Sequence, residues 1–178
     1  QERGRSGNMA GRAFRGEGVW LPALAAGILA IYLPGLGNAL VFDDGPLADT
    51  LFARYRSLAD LHVRALSYGS FPWLAAVFGE GWWKQRLVNI AIHAGVVVAL
   101  WGLYREILAR IAAPAGEPGP APDYPNAPAL GLAIGFYALN PVAVYAVAYL
   151  IQRSILRATF FVVGGLWLFL RGLATGRA

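Results

Sequence analysis

Cysteine is absent from the 178 residues, which excludes disulfide staples and thiolate-held metals. Charge is scarce as well. Only 14% of residues are charged, against about 25% in an ordinary soluble domain, too few to cover a water-facing globule. Lysine is almost missing: of fifteen basic residues fourteen are Arg and one is Lys84. That bias fits a high-GC bacterial genome better than a binding function. The net charge of +5 is broken into short clusters between apolar blocks. No coherent basic face or recognition motif emerges, so nucleic acid is excluded as a partner.

What remains is apolar. Hydrophobic residues make up 57% of the chain and mean hydropathy is +0.50. They arrive in blocks rather than in amphipathic alternation, and lipid is the simplest solvent for such a chain. The reading is an all-α, polytopic transmembrane helical bundle of about four spans, with a long outer loop lying on the membrane surface.

Residues 1–18 read as a mobile basic tail with Arg3, Arg5, Arg12 and Arg15, suited to an anionic membrane surface. Residues 19–178 form one transmembrane domain. Its spans are expected at about 19–41, 87–108, 127–150 and 155–171, with an outer loop at 42–86 and a Pro-rich inner linker at 112–128. Pro22 falls in the opening turn of the first span, where a missing N–H costs nothing. A basic tail before an apolar core also describes a signal peptide, but no small-x-small site follows promptly and further spans do. The third span starts at Ala129–Leu139 and then meets Asn140-Pro141, with apolar character resuming over Val142–Ile151; the eleven residues before the break are too few to cross about 30 Å of hydrocarbon alone. Phe71-Pro72-Trp73 and Trp82-Trp83 read as headgroup-level anchors. Gly27 and Gly164-Gly165 are expected to permit close helix approach.

The basic tail sets the orientation through the positive-inside rule: N-terminus cytoplasmic, Asp43 and Asp44 periplasmic, in a bacterial inner membrane.

Three constellations could carry chemistry. Asp43-Asp44 follows the first span and could bind a divalent cation with phosphates or supply a general base. It also reads as a solvated Asp-Asp-Gly-Pro turn. Asn89 and His93, four apart, share one face of the second span. An intramembrane His invites a haem or chlorophyll ligand; a structural polar pair bonded to a neighbouring helix is the plainer reading. Gln152-Arg153-Ser154 precedes the last span, where the guanidinium could hold a phosphate or snorkel to headgroups. No metal site and no cofactor is expected from these residues.

Phe42-Asp43-Asp44, Arg64-Ala65-Leu66-Ser67-Tyr68, the run Arg86 to His93, and Asn140-Pro141 running to Gln152-Arg153-Ser154 occur in a telling order. Together they resemble the amino-terminal membrane half of the tetratricopeptide-linked transmembrane O-mannosyltransferase-like proteins. Those belong to the GT-C superfamily of glycosyltransferases. The resemblance spans about 19–170 and implies a GT-C-like bundle using a polyprenyl-phosphate sugar as donor. It implies Asp43 and Asp44 as catalytic carboxylates, with Arg64 and Arg153 as phosphate-binding or structural partners.

This chain departs from that pattern. Asn140 stands where the family has His, Tyr145 where it has Glu, and Ile155-Leu156 where it tends to place an acid. No 34-residue repeat is visible. A shortened, degenerate module is therefore expected. Two functions follow. One is an accessory or structural subunit of a larger membrane complex, respiratory or photosynthetic, with lipids and other membrane subunits as partners. The other is a glycosyltransferase or a piece of one. Neither charged residues within the spans nor an internal repeat points to transport.

Overall fold

The computed structural model describes residues 6–41, 44–55, 65–112, 127–140 and 143–175. Among them all regular structure is helical. Three helices are long and apolar enough to cross a membrane. Helix α1 is Ser6–Tyr32, whose crossing stretch is Gly18–Gly35 with the short 3-10 turn that follows it. The α5 helix, Trp82–Ala112, carries the stretch Trp82–Ile111, and α8, Arg153–Thr175, carries most of Leu150–Leu173.

The connection after α1 is built from short pieces: a π turn at Leu47–Leu51, α2 at Phe52–Arg54, α3 at Ala65–Tyr68 and α4 at Ser70–Phe78. The segment expected as a third span is divided. It forms α6, Ala127–Ala138, and α7, Ala143–Ala148, then a 3-10 turn at Leu150–Gln152. Twelve residues of helix reach about 18 Å, short of the hydrocarbon thickness. The helix stops at Asn140-Pro141 because the residue before a proline is pushed out of the helical region.

Other boundaries differ from the sequence reading for physical reasons. Helix α1 begins at Ser6, so part of the expected tail is helical. Pro22 therefore lies inside the helix, where its ring removes a backbone bond to the preceding turn. Trp82, Trp83 and Lys84 open α5 instead of closing the loop. Phe71 is not an interfacial anchor: it is 1% exposed and packs in a small core with Leu47, Tyr55, Tyr68 and Leu150. Asp43 and Arg64 fall outside the described residues.

Contacts fix the helix directions. Trp20 meets Gly131 and Leu24 meets Gly135, so α1 and α6 run parallel. Tyr32 stands beside His93, 5.8 Å between ring centroids, and Leu21 shares a cleft with Trp101, so α5 runs against α1. The α5–α8 pair is parallel: Phe160 sits over Gly95 and Trp167 over Gly102.

These contacts show how the bundle holds together without a water-driven core. Lipid tails are as apolar as leucine, so helices associate by close packing and polar cross-links. Seven residues separate the two glycines and seven separate the two rings, so each ring enters a notch two turns from the next. A Cβ on Gly102 would overlap the Trp167 indole, and one on Gly131 would overlap Trp20. Gly164 and Gly165 serve no such purpose among the described residues, since a Cβ added at either would meet nothing within 4 Å. The main core joins Leu24, Ile28 and Tyr32 of α1 to Ile90, Val97 and Trp101 of α5 and Ile134 of α6. Outward, α8 presents Phe161, Val162, Leu168 and Phe169, a face suited to acyl chains.

Candidate functional site

At the end of the bundle where the long connection lies, the helices are tied by a buried polar network centred on Arg153. Its side chain is 0% exposed. Nε donates to Asn89 Oδ1 at 2.7 Å and Nη1 to Ser70 Oγ at 3.1 Å. Nη2 donates to the Gln85 carbonyl at 2.8 Å and to Gln85 Oε1 at 3.0 Å. Four of the five guanidinium N–H donors are thereby taken. The plane also lies 3.8 Å over the Phe71 ring, a cation–π contact that strengthens when desolvated. Among the described residues every partner is a neutral dipole or a ring. A buried charge is expensive unless such groups surround it, and here α4 and α5 supply them to an arginine that opens α8.

Asn89 carries the network along α5, and His93, one turn further, makes a separate tie. The Asn89 amide donates to the Val147 carbonyl at 3.1 Å, while its oxygen takes the Arg153 bond. His93 Nε2 lies 3.0 Å from the Ala138 carbonyl; a carbonyl can only accept, so Nε2 carries the proton. The end of α6 leaves carbonyls without helical donors, and His93 fills one. The ring is flanked by Tyr32 and by Tyr137, at 5.7 Å. Its Nδ1 and the Tyr32 hydroxyl are buried without a hydrogen-bond partner among the described residues.

Asp44 is the second anchor. It is 1% exposed. Its two oxygens accept from the backbone N–H groups of Leu150, at 3.1 Å, and Ile151, at 2.9 Å. These belong to the first turn of the 3-10 helix that leads into α8, whose N–H groups have no intrahelical acceptor. A carboxylate there also opposes the positive end of the helix. Asp44 thus pins the segment after the first crossing to the start of the last.

Arg86 makes a third tie. It donates to the carbonyls of Leu36, at 2.9 Å, and Ala39, at 3.0 Å, holding the chain that leaves α1 against α5. Beside it lies a cleft of about 220 Å³, with Asn38, Asp44, Arg86 and Tyr149 on its polar side and Ile31, Ile90 and Val147 on its apolar side.

Of the residues singled out by sequence, the structure joins Asn89 and Arg153 by a hydrogen bond, sets His93 one turn along α5 on its own bond to Ala138, and places Asp44 close by across Leu150 and Ile151. Ser70, Gln85 and Arg86 were not singled out. A signal for the last two exists: Gln85, Arg86, Asn89 and His93 form a polar stripe near one face of an otherwise apolar helix. Ser70 carries none. No group of three or more metal-ligating side chains occurs among the described residues. No family model matches the chain, and neither a curated protein nor a solved structure matches it.

Proposed function

We propose that the chain is a structural or accessory subunit of a larger bacterial inner-membrane assembly, built on a degenerate GT-C-like module. One observation carries this reading. Asp44, Asn89, His93 and Arg153 all bond to the protein itself, and Arg153 has four of five donors committed. Residues so engaged hold helices in register. They are poorly placed to bind and release a substrate.

In this reading the module crosses the bilayer four times, with α6 and α7 together making the third pass. The packing of α6 along α1 and α5 supports that count. The N-terminus is cytoplasmic, and the Asp43-Asp44 end is periplasmic. Lipids and other membrane subunits are the partners, and no cofactor is required. Gentle detergent extraction followed by native gel and mass spectrometry tests it. Comigration with a large, stable complex is the expected result, and a free small particle overturns it.

A second reading is favoured by the cleft beside Asp44. A polar pocket with an apolar wall, next to the acidic motif, suits the phosphate and first isoprene of a polyprenyl-phosphate sugar. Under it Asp43 is the acceptor-side base and Asp44 its structural neighbour. Asp43→Ala then abolishes sugar transfer to an acceptor while the protein still accumulates in the membrane. Unchanged transfer removes this reading.

A further inference from the structure

At the bundle end opposite Asp44, α1, α5 and α8 leave a second cleft, about 370 Å³ in volume. Arg105 enters it from α5 and Arg171 from α8, with Glu106 beside them. Trp101 and Trp167 form walls, and Leu21 lies on the α1 side. Two guanidiniums against one carboxylate leave the cleft with one excess positive charge. Both arginines are exposed and each also interacts within the chain; each guanidinium carries five donors.

The depth of these groups matters. The crossing stretch of α5 runs Trp82–Ile111, about 45 Å at 1.5 Å per residue, the thickness of a bilayer with its headgroups. Arg105 lies six residues before that end and Arg171 two residues before the end of Leu150–Leu173. Both stand within about 10 Å of the helix ends, where lipid phosphates lie. Indole rings favour the same level, and the guanidinium fork matches phosphate oxygens two at a time.

We propose that this cleft binds the phosphodiester of an anionic phospholipid. The two forks grip the phosphate oxygens, the indoles flank the glycerol, and the acyl chains follow Leu21 and Val98 into the bilayer. The site stands under either functional reading, because it needs only that the helices cross a membrane.

The test uses the full chain in vesicles of equal phosphatidylglycerol and phosphatidylcholine, released into mild detergent and weighed by native mass spectrometry. Phosphatidylglycerol is expected to stay bound in preference to phosphatidylcholine. Arg105→Gln and Arg171→Gln should each reduce its retention about fivefold, the equivalent of roughly 1 kcal/mol per basic side chain. Arg105→Lys should keep most of it, and Arg54→Gln, at the opposite end, should change nothing. Because either Gln variant tests the site alone, misfolding of one leaves the other decisive. Equal retention of both lipids, or retention unchanged in a folded Gln variant, overturns the proposal. Displacement by millimolar inorganic phosphate without lipid preference also overturns it, assigning the cleft to a free oxyanion.

Discussion

Arg153 Nε donates to Asn89 Oδ1 at 2.7 Å, and both side chains are 0% exposed. A cation from α8 and an amide from α5 thus bond to each other, with no carboxylate against the guanidinium among the described residues. The amide has two jobs there, since its nitrogen also holds the Val147 carbonyl.

Asn89→Leu strands part of a buried guanidinium, so it should destabilise the protein by about 3–5 kcal/mol. Arg153→Met removes the charge itself and should cost less. The double variant should recover part of the Asn89→Leu loss, giving a coupling of about 0.5–3 kcal/mol. Thermal unfolding of the detergent-solubilised variants measures this cycle, and strictly additive losses would show that the contact is energetically idle.

Asp44→Asn leaves one carbonyl oxygen where two carboxylate oxygens accepted the N–H groups of Leu150 and Ile151. The loss of one bond and of the charge should weaken this turn by about 1–2 kcal/mol. Amide hydrogen exchange at Leu150 and Ile151 should quicken about fivefold or more, while exchange in the middle of α5 stays as it was.

Gly102→Ala should be damaging and Gly164→Ala mild. A methyl at 102 meets the Trp167 ring, whereas at 164 it meets nothing within 4 Å. Overpacking of this kind costs about 1–3 kcal/mol; the change at 164 should stay below about 1 kcal/mol in either direction. Trp167→Phe should relieve the Gly102→Ala defect, read as a recovered melting temperature.

A chain without cysteine reports cleanly on introduced ones. Glu80→Cys and Ile111→Cys bracket α5, the most central of the crossing helices, and both positions are exposed. A membrane-impermeant maleimide applied to intact cells should label 80 and spare 111. Labelling of both or of neither would reject the topology, and labelling of 111 alone would invert the orientation.

Much of this architecture was legible in the residues. Long apolar blocks mark the three crossing helices, and Asn140-Pro141 marks the place where the remaining helix divides. Asn89 and His93, one turn apart, announce a polar face. What they touch was not legible, because Arg153 finds Ser70 and Gln85 only when three distant segments meet. The fate of the glycines was hidden for the same reason. Gly164-Gly165 looks like a packing surface, yet the seats for Phe160 and Trp167 lie at Gly95 and Gly102, and a notch has meaning only beside its ring. The burial of Asp44 was equally obscure: Asp-Asp-Gly-Pro has the composition of a wet turn, and its acceptors became useful only when Leu150 and Ile151 arrived unbonded.

The ring-and-notch seam between α5 and α8 joins chain lying on both sides of residues 113–126. Peptide continuity across that stretch is therefore not what keeps the flanking halves together. Two separately translated fragments, 1–112 and 127–178, should find each other in the bilayer and copurify. Gly102→Leu should dissolve that reunion by closing the seat that Trp167 needs.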